Sequence, residues 1–449
     1  MDGRLARPGM GRAWAWGFLY GLAVLGVPAA AMMFGQAADG HSLGYQAGRC
    51  LALAGFTILC LQVALTGRLR VVERPFGLDV LARFHRRAGV GAGVLLACHP
   101  ALLAVFGLGP GIFVSLRLPW YIWAAKGAAL LVFANIAVSR FQRRLGIGFE
   151  RWRFAHDLLG PAIVILIFVH AWFVRKGFQG TALAYAVPLL AGGSLALFVW
   201  HRIIRPMRAA RRPYVVTGVS RGANQVWTLT FAPPKGCETY AYLPGQFHFV
   251  TLKTRALPWQ EHHFTIASSP ARAGEVSSTI KDLGDFTADI GKTAPGDTAV
   301  LEGPFGRFSY LLHPKDRDVV FLAGGIGITP LMGMLRHMRD TGARLPVMLA
   351  YANKSEADIV FRAELDAIAA GESPRLRVAH VLSRPDEGWT GERGHLDETM
   401  LRRVLGENMT GKAFYVSGPP GFVTAALRSL KRLGVPERRI RRERFSLLD

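Results

Sequence analysis

Six long apolar stretches, at about residues 13–34, 50–66, 88–107, 119–139, 157–174 and 181–201, dominate the first part of the chain. Each is close to the roughly 20 residues that a helix rising 1.5 Å per residue needs to cross a hydrocarbon core of about 30 Å. The pattern therefore predicts six membrane helices. After "RPMRAARRPY" the texture changes: "QVWTLTF", "FHFVTL" and "DTAVLEG" alternate apolar and polar positions between Gly and Pro breaks. Short runs at that rhythm predict an antiparallel barrel or sandwich. From Asp318 the pattern changes again, and strand-like "DVVFLAGG", "PVMLAYAN", "RLRVAHVLS" and "AFYVSG" take turns with helical segments. That alternation predicts a parallel α/β sheet. The fold class expected is a multidomain membrane protein: a six-helix transmembrane bundle over 1–210, an antiparallel β-barrel over 211–313 and an α/β domain over 314–449.

Charge sharpens this picture. The chain carries 54 Lys and Arg against 31 Asp and Glu, a net charge of +23, which by itself invites a nucleic-acid partner. Its placement points elsewhere. Arg4, Arg7 and Arg12 precede span one; Arg68, Arg70, Arg74, Arg83, Arg86 and Arg87 lie between spans two and three; Arg140, Arg143, Arg144, Arg151 and Arg153 lie between four and five. Arg202, Arg205, Arg208, Arg211 and Arg212 follow span six, while the opposite loops hold only Arg49, Arg117, Arg175 and Lys176. Basic loops face the cytoplasm, so both termini are expected there, in a multi-pass protein of the plasma membrane whose basic side meets anionic lipid rather than nucleic acid. The apolar run from Ala13 is long enough to remain as a span rather than serve as a cleaved signal. Cys50, Cys60, Cys98 and Cys237 form no CxxC or CxxCH series, which argues against zinc ribbons, covalently attached haem and a built-in iron–sulfur domain.

Candidate chemistry begins with histidine. "HRRAGVGAGVLLACH" runs from His85 to His99 and "HDLLGPAIVILIFVH" from His156 to His170, both with a spacing of fourteen residues. Fourteen residues bring a helical side chain back to within about 40° of its starting face, roughly 21 Å further along. Spans three and five run in the same direction, so His85 and His156 should share the cytoplasmic side and His99 and His170 the outer side. Opposed neutral imidazoles suit six-coordinate haem iron, which carries electrons and leaves no position open. The four are thus candidate metal ligands, for two stacked b-type haems. Arg86, Arg87 and Arg153 could pair with propionates, or be positive-inside charge alone. Small residues between the histidines (Ala88, Gly89, Gly91, Ala92 and Gly93) leave room for a macrocycle or for close helix packing.

In the second half, "PGQFHFV" (Pro244–Val250) precedes "HHFTIASSP" (His262–Pro270), and "IKDLGDFT" follows. "LAGGIGITP" leaves a strand and opens a helix, the setting of a dinucleotide loop, with Thr329 expected as N-cap and Pro330 at the first helical position. Together with the four histidines, these segments resemble the superfamily of ferric reductases and NADPH oxidases, in which a six-helix haem domain is fused to a ferredoxin-reductase-like FAD and NAD(P) module. The resemblance spans nearly the whole chain. It implies that His262, Phe264, Thr265, Ile266 and Ser268 line the flavin, although His263 stands where the family usually has proline. It implies that Lys281, Gly284 and Thr287 form the pyrophosphate side. "GPFG" (Gly303–Gly306) matches the turn between the two soluble domains. Gly324, Gly325, Gly327, Thr329 and Pro330 match the Gly-Gly-x-Gly-x-Thr-Pro nucleotide loop.

"YVSGPPGF" resembles the Cys-Gly-Pro segment that lies against the nicotinamide, with Ser417 in place of the cysteine before Gly418 and Pro419. Phe445 of "RERFSLLD" stands where the family keeps an aromatic on the flavin ring, so Ser417, Phe445 and Thr265 are the candidate catalytic residues. Lys354 and Arg384 follow strands and offer positive partners to a 2′-phosphate, which favours NADPH without excluding NADH. The implied activity moves electrons from cytoplasmic NAD(P)H through FAD and two b-type haems to an acceptor outside, Fe(III) or O₂. The alternatives are supply to a periplasmic partner reductase or quinone, or a haem-free membrane anchor carrying a flavin reductase.

Overall fold

The computed structural model describes residues 10–39, 42–174, 183–254 and 257–444. It has two compact units, Pro8–Pro206 and the stretch from Met207 to Asp449. The candidate Phe445, like the loop charges Arg4, Arg7, Arg175 and Lys176, lies outside the described residues.

The first unit is helical. Its six long helices are α1 (Met10–Asp39), α2 (Leu43–Thr66), α3 (Leu78–Leu103), α4 (Trp120–Phe141), α5 (Phe149–Val174) and α6 (Leu183–Val199). Each belongs to a segment long and apolar enough to cross a membrane. Helices α3 and α5 begin about two to three turns before the apolar runs, because Arg83 and Arg86, like Glu150, Arg151 and Arg153, are good helix formers that continue the helix into the basic loops. His85 and His156 are therefore carried on regular helix. Helix α2 is the central one: Leu53, Phe56 and Cys60 are buried with Val164 of α5 and Val187 and Ala191 of α6. It also meets α3 closely. A Cβ on Gly55 would stand 3.3 Å from the Ala92 carbonyl, and one on Gly48 would stand 3.3 Å from the His99 carbonyl. Small residues let helix backbones approach within a membrane. The small stretch of α3 is thus divided between uses: Ala92 is fully buried and Gly93 packs on Ile136, whereas Gly91 faces open space.

The second unit has two sheets. Strands β1 (Tyr214–Arg221), β2 (Val226–Ala232), β3 (Phe247–Lys253), β4 (Glu261–Thr265), β5 (Val276–Lys281) and β6 (Thr298–Phe305) form an antiparallel sheet of order β4-β3-β6-β1-β2-β5. Its outer strands are tied where Ala267 N–H, just past β4, donates to Ser277 O of β5 at 2.8 Å. Leu229, Phe231, Val250, Leu252, Ile266 and Ile290 fill its interior without exposure. At about 1.5–3 kcal/mol for each large apolar side chain buried, they hold the end of β4 in place. The second sheet, β10-β9-β8-β7-β11-β12, is parallel. It comprises β7 (Val319–Gly324), β8 (Pro346–Asn353), β9 (Arg375–Leu382), β10 (Glu392–Arg393), β11 (Ala413–Gly418) and β12 (Ile440–Arg444). Helices α7 (Ile328–Asp340), α8 (Arg362–Ala369), α9 (Glu398–Leu405) and α10 (Pro420–Arg432) connect its strands. A parallel sheet of this kind collects loops at the carboxyl ends of its strands, which is where nucleotide ligands bind.

Candidate functional site

In the helical unit the histidines meet in the expected pairs. The rings of His85 and His156 face each other with centroids 6.0 Å apart and planes at 71°. Two metal–imidazole bonds of about 2 Å each, with the ring radii added, require a separation of that size, so these side chains suit one iron between them. His99 and His170 lie within electrostatic reach of each other. Three of the four rings are oriented through Nδ1. His99 donates to Gly48 O at 3.0 Å and His170 to Tyr121 O at 3.2 Å, while His156 donates to Asn135 Oδ1 at 2.9 Å. A carbonyl partner assigns the proton to Nδ1 and leaves the Nε2 lone pair for a metal. Nδ1 of His85 is buried, and the ring lies against the Gln62 backbone. Arg86 and Arg87 are exposed, and Lys126, inside span four, donates to Phe113 O at 3.1 Å and lies 4.5 Å from the Trp123 ring centre.

In the second unit, β4 carries His262, Phe264 and Thr265 in register with Val250, His248 and Phe247 of β3. His262 stacks on Phe286 at 4.0 Å, and Thr265 and Ile266 are buried. The Ser268 hydroxyl is already engaged, within 2.8 Å of Tyr242 Oη and accepting from Ser277 N–H at 3.0 Å. His263, at the position where proline is usual, lies 6.0 Å from the rings of both Phe247 and Phe249. Beneath these residues His248 is fully buried between Tyr240 Oη and Ser278 Oγ, and burial pushes its imidazole down to about 3. Thr287 organises the next loop, its hydroxyl accepting from the N–H groups of Leu283 and Gly284. Lys281 extends toward Asp358 instead, with Nζ 3.4 Å from Oδ1, so its charge is already partnered across the two sheets.

The nucleotide loop is built by steric necessity. A Cβ on Gly327 would stand 2.4 Å from Ser417 O, and one on Gly324 or Gly418 would enter the ring of Phe422 at 2.6 or 2.7 Å. Gly325 has φ +52° and open space around it, so its backbone rather than its surroundings calls for glycine. Its carbonyl accepts from Tyr351 Oη at 3.0 Å. Thr329 departs from the expected N-cap. Gly327 caps the helix, Ile328 opens it, and the Thr329 hydroxyl donates backward to Ile326 O at 3.0 Å. Gly325–Gly327 forms a tight turn that starts the winding two residues early, and Pro330 still falls among the first-turn N–H groups that need no helical partner. Helix α7 then lies on the segment that follows β4: a Cβ on Gly333 would stand 3.0 Å from Ile266 O, and Arg336 donates to Ala267 O at 2.8 Å.

The structure thus brings the "FTIASS" and "GGIGITP" segments together. Ser417 stands beside them, fully buried with Oγ unpartnered. A residue that the sequence reading missed lies next to it. Glu443 of β12 is in register with Ser417; its Oε2 has no partner, and burial pushes its carboxyl up to about 8. Lys354 and Arg384 are exposed and adjacent, the Arg384 N–H donating to Lys354 O at 2.8 Å. Glu356, an acid near the end of β8, is engaged by Arg362. Phe422, the last residue of "YVSGPPGF", and Tyr351 were given no role by the sequence reading.

Comparison with known proteins finds three matches in order along the chain. Residues 51–171 match the model described as ferric reductase like transmembrane component, residues 219–307 an FAD-binding domain and residues 321–428 an oxidoreductase NAD-binding domain. NADH-cytochrome b5 reductase 1 of Laccaria bicolor is 32% identical over 177 residues, 38% of this chain and 57% of that protein. The glycine betaine monooxygenase reductase subunit of Chromohalobacter salexigens is 31% identical over 201 residues, 43% of this chain and 54% of that one. This chain spans about half the length of these curated relatives. Among solved structures, the cytochrome b5 reductase domain of Ulva prolifera nitrate reductase is 22% identical, with 52% of this chain and 97% of that one covered at a TM-score of 0.46. In order along the chain, these matches give a ferric-reductase-like transmembrane component followed by FAD-binding and NAD-binding domains, an architecture of the ferric reductase and NADPH oxidase type.

Proposed function

We propose that this membrane oxidoreductase takes hydride from NADPH, or NADH, on the cytoplasmic side and passes electrons outward to Fe(III) or O₂. His85 and His156 would hold an inner b-type haem, and His99 and His170 an outer one. FAD, when bound, divides a two-electron donor into single deliveries that haem iron can accept. The protein's part is to orient and exclude. The glycine turn at Gly324, Gly325 and Gly327 and the neighbouring Gly418–Pro419 turn admit the dinucleotide backbone. Ser417 positions the nicotinamide ring, Phe264, Thr265 and Ile266 border the flavin, and Lys354 and Arg384 receive the 2′-phosphate. Three of the four imidazoles, those of His99, His156 and His170, are kept from rotating by their Nδ1 acceptors.

The observation that carries this reading is the pair His85 and His156 at 6.0 Å, on helices that repeat a histidine fourteen residues further on. Protein purified in detergent should show a reducible b-type haem spectrum, and His99→Ala and His170→Ala should each lose the outer haem. Absence of haem from the native chain, or full retention in both variants, would refute it. The acceptor is identified by NADPH oxidation in sealed vesicles, first with O₂ and superoxide dismutase, then anaerobically with ferric citrate.

A further inference from the structure

Helices α4 and α5 are joined by two polar rungs one turn apart. Asn135 Oδ1 accepts from His156 Nδ1 at 2.9 Å, and Trp152 Nε1 donates to Ser139 Oγ at 3.1 Å. Residues 135 and 139 face residues 156 and 152 across the pair, and the Trp152 ring lies 5.3 Å from that of His156. His156 is therefore gripped on one side by a ring and on the other by an amide. The acceptors of His99 and His170 are backbone carbonyls. Among the described residues, Asn135 is the side chain that accepts a hydrogen bond from one of the four histidines.

We infer that Asn135 is a positioning residue that sets the electron affinity of the inner haem through the His156 imidazole. The inference rests on the haem reading above. An acceptor on Nδ1–H draws that proton away from the ring and makes the opposite nitrogen a stronger donor, which favours the oxidised metal. Loss of such a partner typically costs about 10–100-fold in metal affinity or activity. A plain interhelical hydrogen bond, the other use of an amide in a membrane, would hold the helices together without acting on the iron.

The test is a spectroscopic redox titration of the purified holoprotein. Asn135→Leu removes the acceptor and Asn135→Asp strengthens it. One of the two haem steps should move upward in the leucine variant and downward in the aspartate variant, each by at least tenfold in the Fe(III)/Fe(II) equilibrium, or 59 mV for one electron. The other step should stay in place. Where the leucine variant does not fold, the shift between Asn135 and Asn135→Asp decides the matter alone. Two steps unmoved, or both variants shifted the same way, overturn the inference while leaving the haem reading intact. A native chain without haem removes that reading first, and this inference with it.

Discussion

Gly327→Ala is the sharpest test of the nucleotide site. The added Cβ would lie 2.4 Å from Ser417 O, 2.5 Å from Gly418 Cα and 2.6 Å from Gly418 N, where ordinary contact begins at 3.4 Å. All three are backbone atoms at the end of β11, itself paired on both sides with β7 and β12. No side chain can swing away, so the turn and the strand end must part by about 1 Å. Overpacking of this order costs about 1–3 kcal/mol in stability. A displacement of that size between reacting groups costs about 10²-fold in rate, or about 2.7 kcal/mol in the barrier. Stopped-flow bleaching of bound flavin by NADPH should therefore slow about a hundredfold while flavin content falls little. Gly325→Ala separates the two causes: its φ of +52° strains an alanine, but nothing lies within 4 Å of the new Cβ, so its loss should stay near 1–2 kcal/mol. Flavin reduction in Gly327→Ala within threefold of the native rate would show that the close approach of the two turns is not needed.

Ser417→Cys should speed flavin reduction several-fold, because a larger, more polarizable atom fills the buried spot where Oγ now lacks a partner; an unchanged rate contradicts this. Replacing both Lys354 and Arg384 by Ala should raise KM for NADPH about tenfold and leave NADH alone, since charge-assisted bonds to a 2′-phosphate are lost; equal effects on both coenzymes exclude the assignment. His248, at about 3 when folded and 6.5 when unfolded, stays neutral in the native protein while the unfolded chain gains a proton. Its contribution is present above pH 6.5 and lost as pH falls, by about 2 kcal/mol at pH 5. His248→Gln should flatten that part of the melting profile, and an unaltered acid slope would count against it. Glu443, raised to about 8, works in the opposite direction: stability is full below the unfolded value near 4.5 and falls as pH rises through 8. Melting of Glu443→Gln should lose less between pH 6 and 8.5 than the native protein, and a parallel decline would refute it.

Those elements that depend on local pattern were legible in the amino-acid sequence. Apolar runs located six spans, and the repeated histidine spacing placed side chains on one face of each of two helices. Alternation of strands and helices announced the parallel sheet. What stayed hidden depends on distant pairing. Lys281 finds Asp358 77 residues away, and only the register of β11 with β12 sets Glu443 beside Ser417. Phe422 is one aromatic among 27 phenylalanines until two glycines close on its ring. Thr329 misled for a local reason: a hydroxyl before a proline looks like a cap, yet the glycines ahead of it can wind the turn earlier. Asn135 has no motif around it, and the signal it offers is that of an amide inside a membrane span.

The histidine pairs are also held differently, and packing explains why. Near His99, α2 and α3 approach closely because residue 48 has no side chain; a Cβ there would be 3.1 Å from Leu102 Cβ. At that distance a ring on α3 can reach the second lone pair of a helical carbonyl on α2, and His99 does so. His170 finds the Tyr121 carbonyl in the first turn of α4, where the helix has just begun. His156 sits beside the other end of α4, and its Nδ1 bond is made by the amide of Asn135. Backbone acceptors persist through most substitutions, whereas an amide can be exchanged for a stronger or weaker acceptor by one residue. Four histidines that are equivalent as letters are thus unequal in their surroundings, and on the proposed route the adjustable one lies at the inner pair, where electrons enter.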